Sequence, residues 1–113
     1  MAADTSVDII VNQKASLEVT FNVKTANGTV LNLTNYTAAA KYKTDFQTPD
    51  SQALPFTASI ANAVNGEVMI SLTPTQTANL KNARYVYDVT ITDDNDFKTR
   101  IVEGFLKVSA GVT

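Results

Sequence analysis

Residues 72 to 92, LTPTQTANLKNARYVYDVTIT, give the clearest structural signal in this chain. Within them, Thr73-Pro74-Thr75-Gln76 has the pattern of a helix start: an N-cap threonine, proline at the first position and glutamine at the third. The helix must be short, because Asn82-Ala83-Arg84 leads directly into a strand pattern. Leu80 is the apolar residue that can fold back onto a core. The stretch therefore predicts the end of one strand, one or two helical turns, and a second strand.

The second strand places two tyrosines on one face. Alternation at a period of two puts Tyr85, Tyr87, Val89 and Ile91 together, with Arg84, Asp88, Thr90 and Thr92 on the other side. We expect one tyrosine to bond through its hydroxyl to backbone that precedes the strand, and the other to be a core ring. The alternative is a ligand-binding pair. A short helix followed by such a tyrosine is typical of the corner between strands five and six of an immunoglobulin-like sandwich.

The rest of the chain fits that architecture. Apolar and polar residues alternate in several short segments, and Asn27-Gly28 and Asn65-Gly66 are turn signals. We predict an all-β, immunoglobulin-like antiparallel β-sandwich of about seven strands, with one short helix between strands five and six. The expected domains are a flexible arm at 1–6, the sandwich at 7–109 and a tail at 110–113. The predicted strands cover 7–11, 17–23, 36–43, 54–60, 67–72, 84–92 and 98–108.

Composition narrows the function more by what is missing than by what is present. The chain of 113 residues has no Cys and no His, which excludes disulfides, thiolate nucleophiles, Cys-ligated zinc and Ser–His catalysis. A net charge of −2 gives no basic footprint for nucleic acid and no polybasic segment for a membrane surface. Residues 1–4 lack the pattern of a signal peptide, so we expect cytoplasmic synthesis without export. We expect no cofactor and no enzymatic activity.

Two groups of acidic residues are candidate sites with simpler explanations. Asp93, Asp94 and Asp96 offer oxygens that calcium could use, but neither a glycine nor a later glutamate completes a calcium loop. We interpret them as a solvated hairpin tip in which Asp side chains cap the turn. The other carboxylates could in principle form a catalytic pair, but nothing in the sequence brings two of them together. These are Asp45, Asp50, Glu67, Asp88 and Glu103.

Five apolar residues are candidate contacts for a partner protein. Phe46 lies in a polar loop, where an aromatic ring either tucks into the core or anchors a contact. Met69, Val86, Ile101 and Phe105 are out of phase with the apolar rows of their strands. Such residues on several strands predict an outer sheet surface that a partner covers. The alternative is a scatter of surface apolar residues, which is ordinary.

Three runs carry a resemblance to a known group of proteins. The chain resembles small virion structural proteins of tailed bacteriophages, especially of cyanophages, and the immunoglobulin-like N-terminal domain of the phage baseplate upper protein. The similarity extends from about Val7 to Ser109. The runs are Leu33 to Ala40, Gly66 to Ala78 and Arg84 to Val89.

The resemblance implies a non-enzymatic component of the virion, present in many copies. Its expected partners are other phage virion proteins, with self-association left open and with neither nucleic acid nor membrane bound. Tail, baseplate or neck is the favoured position, and capsid decoration is the alternative. A carbohydrate-binding or adhesion module is a second alternative, which would need exposed aromatic side chains on one platform.

Overall fold

The computed structural model describes residues 5–25, 27–45, 47–81 and 84–110. Within these ranges the chain forms β-strands, one α-helix and a single 3-10 turn at Asp50–Gln52. None of the described helices has the length and apolar character needed to cross a lipid bilayer. The elements are β1 (Thr5–Ser6), β2 (Ile9–Asn12), β3 (Leu17–Asn22), β4 (Thr37–Lys43), β5 (Leu54–Pro55), β6 (Thr57–Asn62), β7 (Glu67–Leu72), α1 (Pro74–Ala78), β8 (Arg84–Thr92) and β9 (Lys98–Ser109).

Two sheets pack face to face, which confirms the predicted all-β sandwich. The first sheet has the order β1/β2–β9–β8–β4–β5, and the second has the order β3–β7–β6. Both β1 and β2 pair with β9 and are two parts of one interrupted strand, so the described chain has eight strands rather than about seven. This N-terminal strand runs parallel to β9, whereas every other described pair is antiparallel.

Most strand ends agree with the sequence expectation to within one residue, and two strands differ more. The chain enters the first sheet at Thr5, where it pairs with Val102, ahead of the expected start at Val7. The predicted strand 54–60 is divided between the sheets as β5 and β6. The chain changes sheets after Pro55: Phe56 N still donates to the Ala40 carbonyl of the first sheet at 2.9 Å, and the Phe56 side chain is buried between the two sheets. The remainder of the predicted arm and tail, 1–4 and 111–113, lies outside the described residues.

The core consists of the inward rows of both sheets. In β4 the inward row is Ala38, Ala40 and Tyr42, of which Ala40 and Tyr42 are buried and Ala38 is partly buried. Phe56 packs edge-on against Tyr42, with ring centroids 5.1 Å apart, and Tyr85 does the same at 5.5 Å. Edge-to-face contacts of this kind fill the interior and fix the orientation of each ring.

The corner between β7 and β8 has the predicted construction. The Thr73 hydroxyl accepts from Gln76 N at 3.2 Å, and the Gln76 side chain accepts from Thr73 N at 2.8 Å, which is a capping box. Leu80 is only 1% exposed and lies in the core. The Tyr85 hydroxyl accepts from Lys81 N at 3.0 Å, so Tyr85 is the corner tyrosine.

Helix α1 also holds the turn between β2 and β3. The buried Thr77 hydroxyl donates to the Ala15 carbonyl at 2.8 Å. From the turn, Gln13 Nε2 donates to the Leu80 carbonyl at 2.6 Å. The corner therefore ties together segments more than 60 residues apart.

Candidate functional site

Ile101 does not lie on the outer face as expected. Val89 pairs with Val102 and Thr90 pairs with Arg100, so Ile101 is one extra residue in β9, a β-bulge. The bulge lets two successive side chains, Ile101 and Val102, both enter the core, and Ile101 is 3% exposed. The expectation that Ile101 faces a partner is therefore wrong in its premise. Phe46, the first of the five candidates, lies outside the described residues.

Val86 and Phe105 do lie on the outer face of the first sheet, directly opposite each other on β8 and β9. The Arg84 guanidinium lies 4.5 Å from the centre of the Phe105 ring, which is a cation–π contact. Val86 is only 6% exposed, although it is out of phase with the core row. These two residues offer a partner little free apolar surface, because the chain's own side chains already cover much of it.

The surrounding outer face of the first sheet is charged. It contains a pocket of about 260 Å³ lined by charged residues of three strands, by Tyr42 and Tyr87, and by Ala53 and Val86. Asp88 stands opposite Lys41 on one side and opposite Glu103 on the other. We call this surface the charged face: Lys41, Lys43, Asp88, Arg100 and Glu103.

On the charged face, the negative charges lie beside positive charges of the same face. Carboxylates directly opposite each other across two strands repel, and Asp88 and Glu103 are such a pair. Lys41 flanks the pair, and Arg100 Nε lies 3.7 Å from Glu103 Oε2. The pairing of Asp88 with Glu103 could not be predicted from the sequence. In a regular hairpin without the bulge at Ile101, Glu103 would stand opposite Tyr87.

Met69 lies at the centre of the other outer surface. On the second sheet it stands between Thr20 of β3 and Ser59 of β6, and its side chain is half-buried. The three strands carry two carboxylates and no lysine or arginine. We call this surface the Met69 face, and its outward residues are Glu18, Thr20, Asn22, Thr57, Ser59, Glu67, Met69 and Ser71.

The acidic hairpin tip is a turn, as interpreted from the sequence. Asp93 Oδ1 accepts from Asn95 N and from Phe97 N, both at 2.9 Å. Asp96 has a φ of 63°, a left-handed conformation that Asp tolerates in turns. Within the described ranges, no group of three or more Asp or Glu residues is arranged to hold a metal ion.

The tyrosine pair is structural, because both rings lie in the core and both hydroxyls bond to the backbone. Tyr85 and Tyr87 are 8% and 3% exposed. The Tyr87 hydroxyl donates to the Val7 carbonyl at 2.6 Å, a bond between β8 and the break in the N-terminal strand. Burial raises the pKa of Tyr87, and the negative charge of Asp8 raises it further. The hydroxyl is therefore held in its neutral, donating form.

Comparison with known proteins adds little about function. No protein-family model and no curated protein matches the chain. Among solved structures, the Listeria monocytogenes internalin-like protein lmo2027 aligns with 96% of this chain, at a TM-score of 0.44 and 14% identity. The chain spans 30% of that protein's length. A likeness at this level carries no functional argument.

Proposed function

We propose that this protein is a non-enzymatic structural component of a tailed-phage virion that docks on larger virion proteins, in the tail, baseplate or neck. The resemblance of its sequence runs to small virion proteins supports the virion assignment. One structural observation supports docking, namely the chemical contrast between the two outer faces. The Met69 face carries two carboxylates and no lysine or arginine, whereas the opposite face is crowded with ions of both signs.

The Met69 face shares two features with the centre of a protein interface, a methionine in its middle and few charged residues. Methionine is enriched in such centres and charged residues are depleted. Met69 is flanked within its row by Thr20 and Ser59, which are small, so a partner can reach the thioether. Few ions have to leave water when this face is covered, so docking here costs little desolvation energy.

The charged face is a poorer docking surface by the same reasoning. Burying Asp88, Glu103 and their cationic neighbours would take several ions out of water, and the penalty often exceeds the Coulombic gain. Phe105, the largest apolar side chain beside the charged face on the same outer surface, already lies against the Arg84 guanidinium. We therefore assign docking to the Met69 face.

The test is incorporation of Met69→Lys into virions. An unpaired ammonium at the centre of a dry contact would weaken docking by at least tenfold, which corresponds to about 1.4 kcal/mol. Purified particles would be analysed by quantitative mass spectrometry for the protein. Ala39→Lys is the matched control, since Ala39 is an exposed strand residue on the outer side of the first sheet. Thermal melts of both variants establish that they fold.

We expect Ala39→Lys to enter particles at the wild-type copy number and Met69→Lys to be depleted. Absence of the wild-type protein from purified virions would overturn the virion assignment. Equal incorporation of both variants would overturn the choice of face.

The two alternatives make different predictions. A capsid-decoration protein would use the same kind of surface on a different partner, and cryo-EM of intact particles locates the chain on head or tail. A carbohydrate-binding module needs an aromatic platform, but Tyr42, Tyr85 and Tyr87 are buried, whereas Phe97 is 58% exposed at a hairpin tip. Specific binding on a glycan array that Phe97→Ala abolishes would favour that module instead.

A further inference from the structure

Strand β6 is an open edge of the second sheet, because β7 is the only strand that pairs with it among the described residues. The neighbouring ladder determines which of its backbone groups are unpaired. Val23 N donates to Gly66 O at 2.7 Å, one step beyond the Asn22–Glu67 pair and in the same register. Hydrogen-bonded and non-hydrogen-bonded pairs alternate along an antiparallel ladder. Gly66 therefore bonds towards β3, and Glu67 bonds towards β6.

The same alternation continues along β7. Met69, two residues after Glu67, directs its N–H and C=O towards Ser59. The backbone groups of Ala58 and Ile60, on either side of Ser59, then point to the open edge. In the described part of the chain no other backbone group bonds to them.

The edge lacks two of the features that usually prevent strands from pairing with other chains, namely charged side chains and proline. Natural edge strands are blunted by charged side chains, by proline, by β-bulges or by very short length. Strand β6 has six residues, none of them charged and none of them proline. The other open edge of this sheet, β3, carries Glu18. The bulge after Ile60 confines the regular part of β6 to its first four residues.

Two exposed apolar side chains flank β6 symmetrically. Leu54 is 52% exposed and Val64 is 68% exposed. Leu54 precedes Ser59 by five residues, and Val64 follows it by five. This symmetry holds along the sequence only, because Leu54 lies in β5 of the first sheet and Val64 lies in the turn beyond the bulge, so neither residue continues the β6 ladder.

We propose that two copies of this chain pair antiparallel through their β6 edges, about a two-fold axis at Ser59. Each Ala58 exchanges N–H and C=O with Ile60 of the other copy, which gives four hydrogen bonds. The two Ser59 residues face each other as a non-hydrogen-bonded pair, and the contact is self-complementary, as two-fold symmetry requires. The two Met69 faces become one six-stranded surface. The pairing does not depend on a role in a virion.

A single cysteine tests the geometry directly. The chain has no Cys, so Ser59→Cys introduces the only thiol. Cα atoms of a non-hydrogen-bonded pair lie about 4.5 Å apart, inside the range of about 4.4–6.8 Å that a disulfide spans. Thr20→Cys is the matched control, since Thr20 is also exposed and lies in the same row, at the opposite edge of the sheet. Under mild oxidation we expect Ser59→Cys to form disulfide dimers at least tenfold faster than Thr20→Cys, and equal rates would overturn the proposal.

Sedimentation equilibrium of the purified chain gives an independent measurement. We expect the wild type to dimerise reversibly. Ser59→Lys would raise the dimer Kd at least tenfold, because two ammonium groups then face each other across the axis. Thr20→Lys should leave the Kd unchanged, and thermal melts establish that both variants fold. A wild type that stays monomeric at a concentration of about 1 mM, or equal effects of the two lysines, would overturn the pairing. Neither outcome bears on incorporation into particles.

Discussion

Tyr87→Phe removes a single hydroxyl and thereby tests how the N-terminal strand is held on the sandwich. The hydroxyl donates at 2.6 Å to the carbonyl of Val7, which lies in the break between β1 and β2. Val7 is otherwise tied to the sheet by its own N–H, which donates to Glu103 O at 2.9 Å. Tyr85→Phe is the matched comparison, because it removes the other buried tyrosine hydroxyl of the same strand.

The two substitutions should differ in size. A net hydrogen bond contributes about 1 kcal/mol, and a buried group left without its partner costs about 1–3 kcal/mol. Val7 is half-buried, so we expect Tyr87→Phe to cost about 1–2 kcal/mol. Lys81 is exposed, so water can replace the Tyr85 hydroxyl on its N–H, and that loss should be about 0.5–1 kcal/mol.

The assay is thermal and urea unfolding, together with hydrogen exchange. For a domain of this size 1 kcal/mol shifts Tm by about 4 °C, so Tyr87→Phe should melt about 4–8 °C below the wild type. Amide hydrogen exchange in Tyr87→Phe should be faster than in the wild type mainly at residues 6–10, where the N-terminal strand pairs with β9. Unchanged melts for both variants, or a larger loss for Tyr85→Phe, would refute the reasoning.

Three further predictions use the same two regions of the fold. In Gly104→Ala the new Cβ would overlap the Val7 carbonyl, so β1 and β2 should separate from β9, with a larger fall in Tm than in Tyr87→Phe and rapid exchange at residues 6–10. The pKa of Tyr87 is raised in the folded protein, so its contribution to stability is complete below pH of about 10 and declines as pH rises further. The free energy of unfolding of the wild type, measured by urea titration, should therefore fall as pH rises above about 10. The fall should be smaller in Tyr87→Phe, which lacks this hydroxyl. Thr73→Ala removes the N-cap of α1 and should cost about 1 kcal/mol in urea unfolding, and no change would mean that the cap is dispensable.

Much of this fold follows from local patterns. The inward rows of β7 and β8 were predictable because side chains alternate between faces at every residue of a regular strand. The capping box at Thr73 and the fold-back of Leu80 were predictable because their partners are close in sequence. The sequence left two candidates for the corner tyrosine, Tyr85 and Tyr87. Only the hydrogen bond from Lys81 N to the Tyr85 hydroxyl identified Tyr85 as that residue.

The candidate surfaces were predicted less well, and Ile101 shows why. Alternation places Ile101 and Val102 on opposite faces, but the bulge puts both in the core. A bulge depends on how many residues the partner strand offers, which no local pattern contains. The same extra residue brings Glu103 opposite Asp88, so the charged face could not be derived from spacing along the chain.

The sequence by itself therefore determined the class of the fold, the corner and most core rows, because each depends on alternation or on contacts between near neighbours. Only the tertiary structure decided the parallel pairing of the N-terminal strand, the change of sheets at Phe56 and the open edge of β6. These features depend on which strand lies beside which, and strand neighbours are set by contacts between residues far apart in the chain. The sparsely charged Met69 face and the pairing edge at Ser59 both belong to this second group, and so do the functions proposed for them.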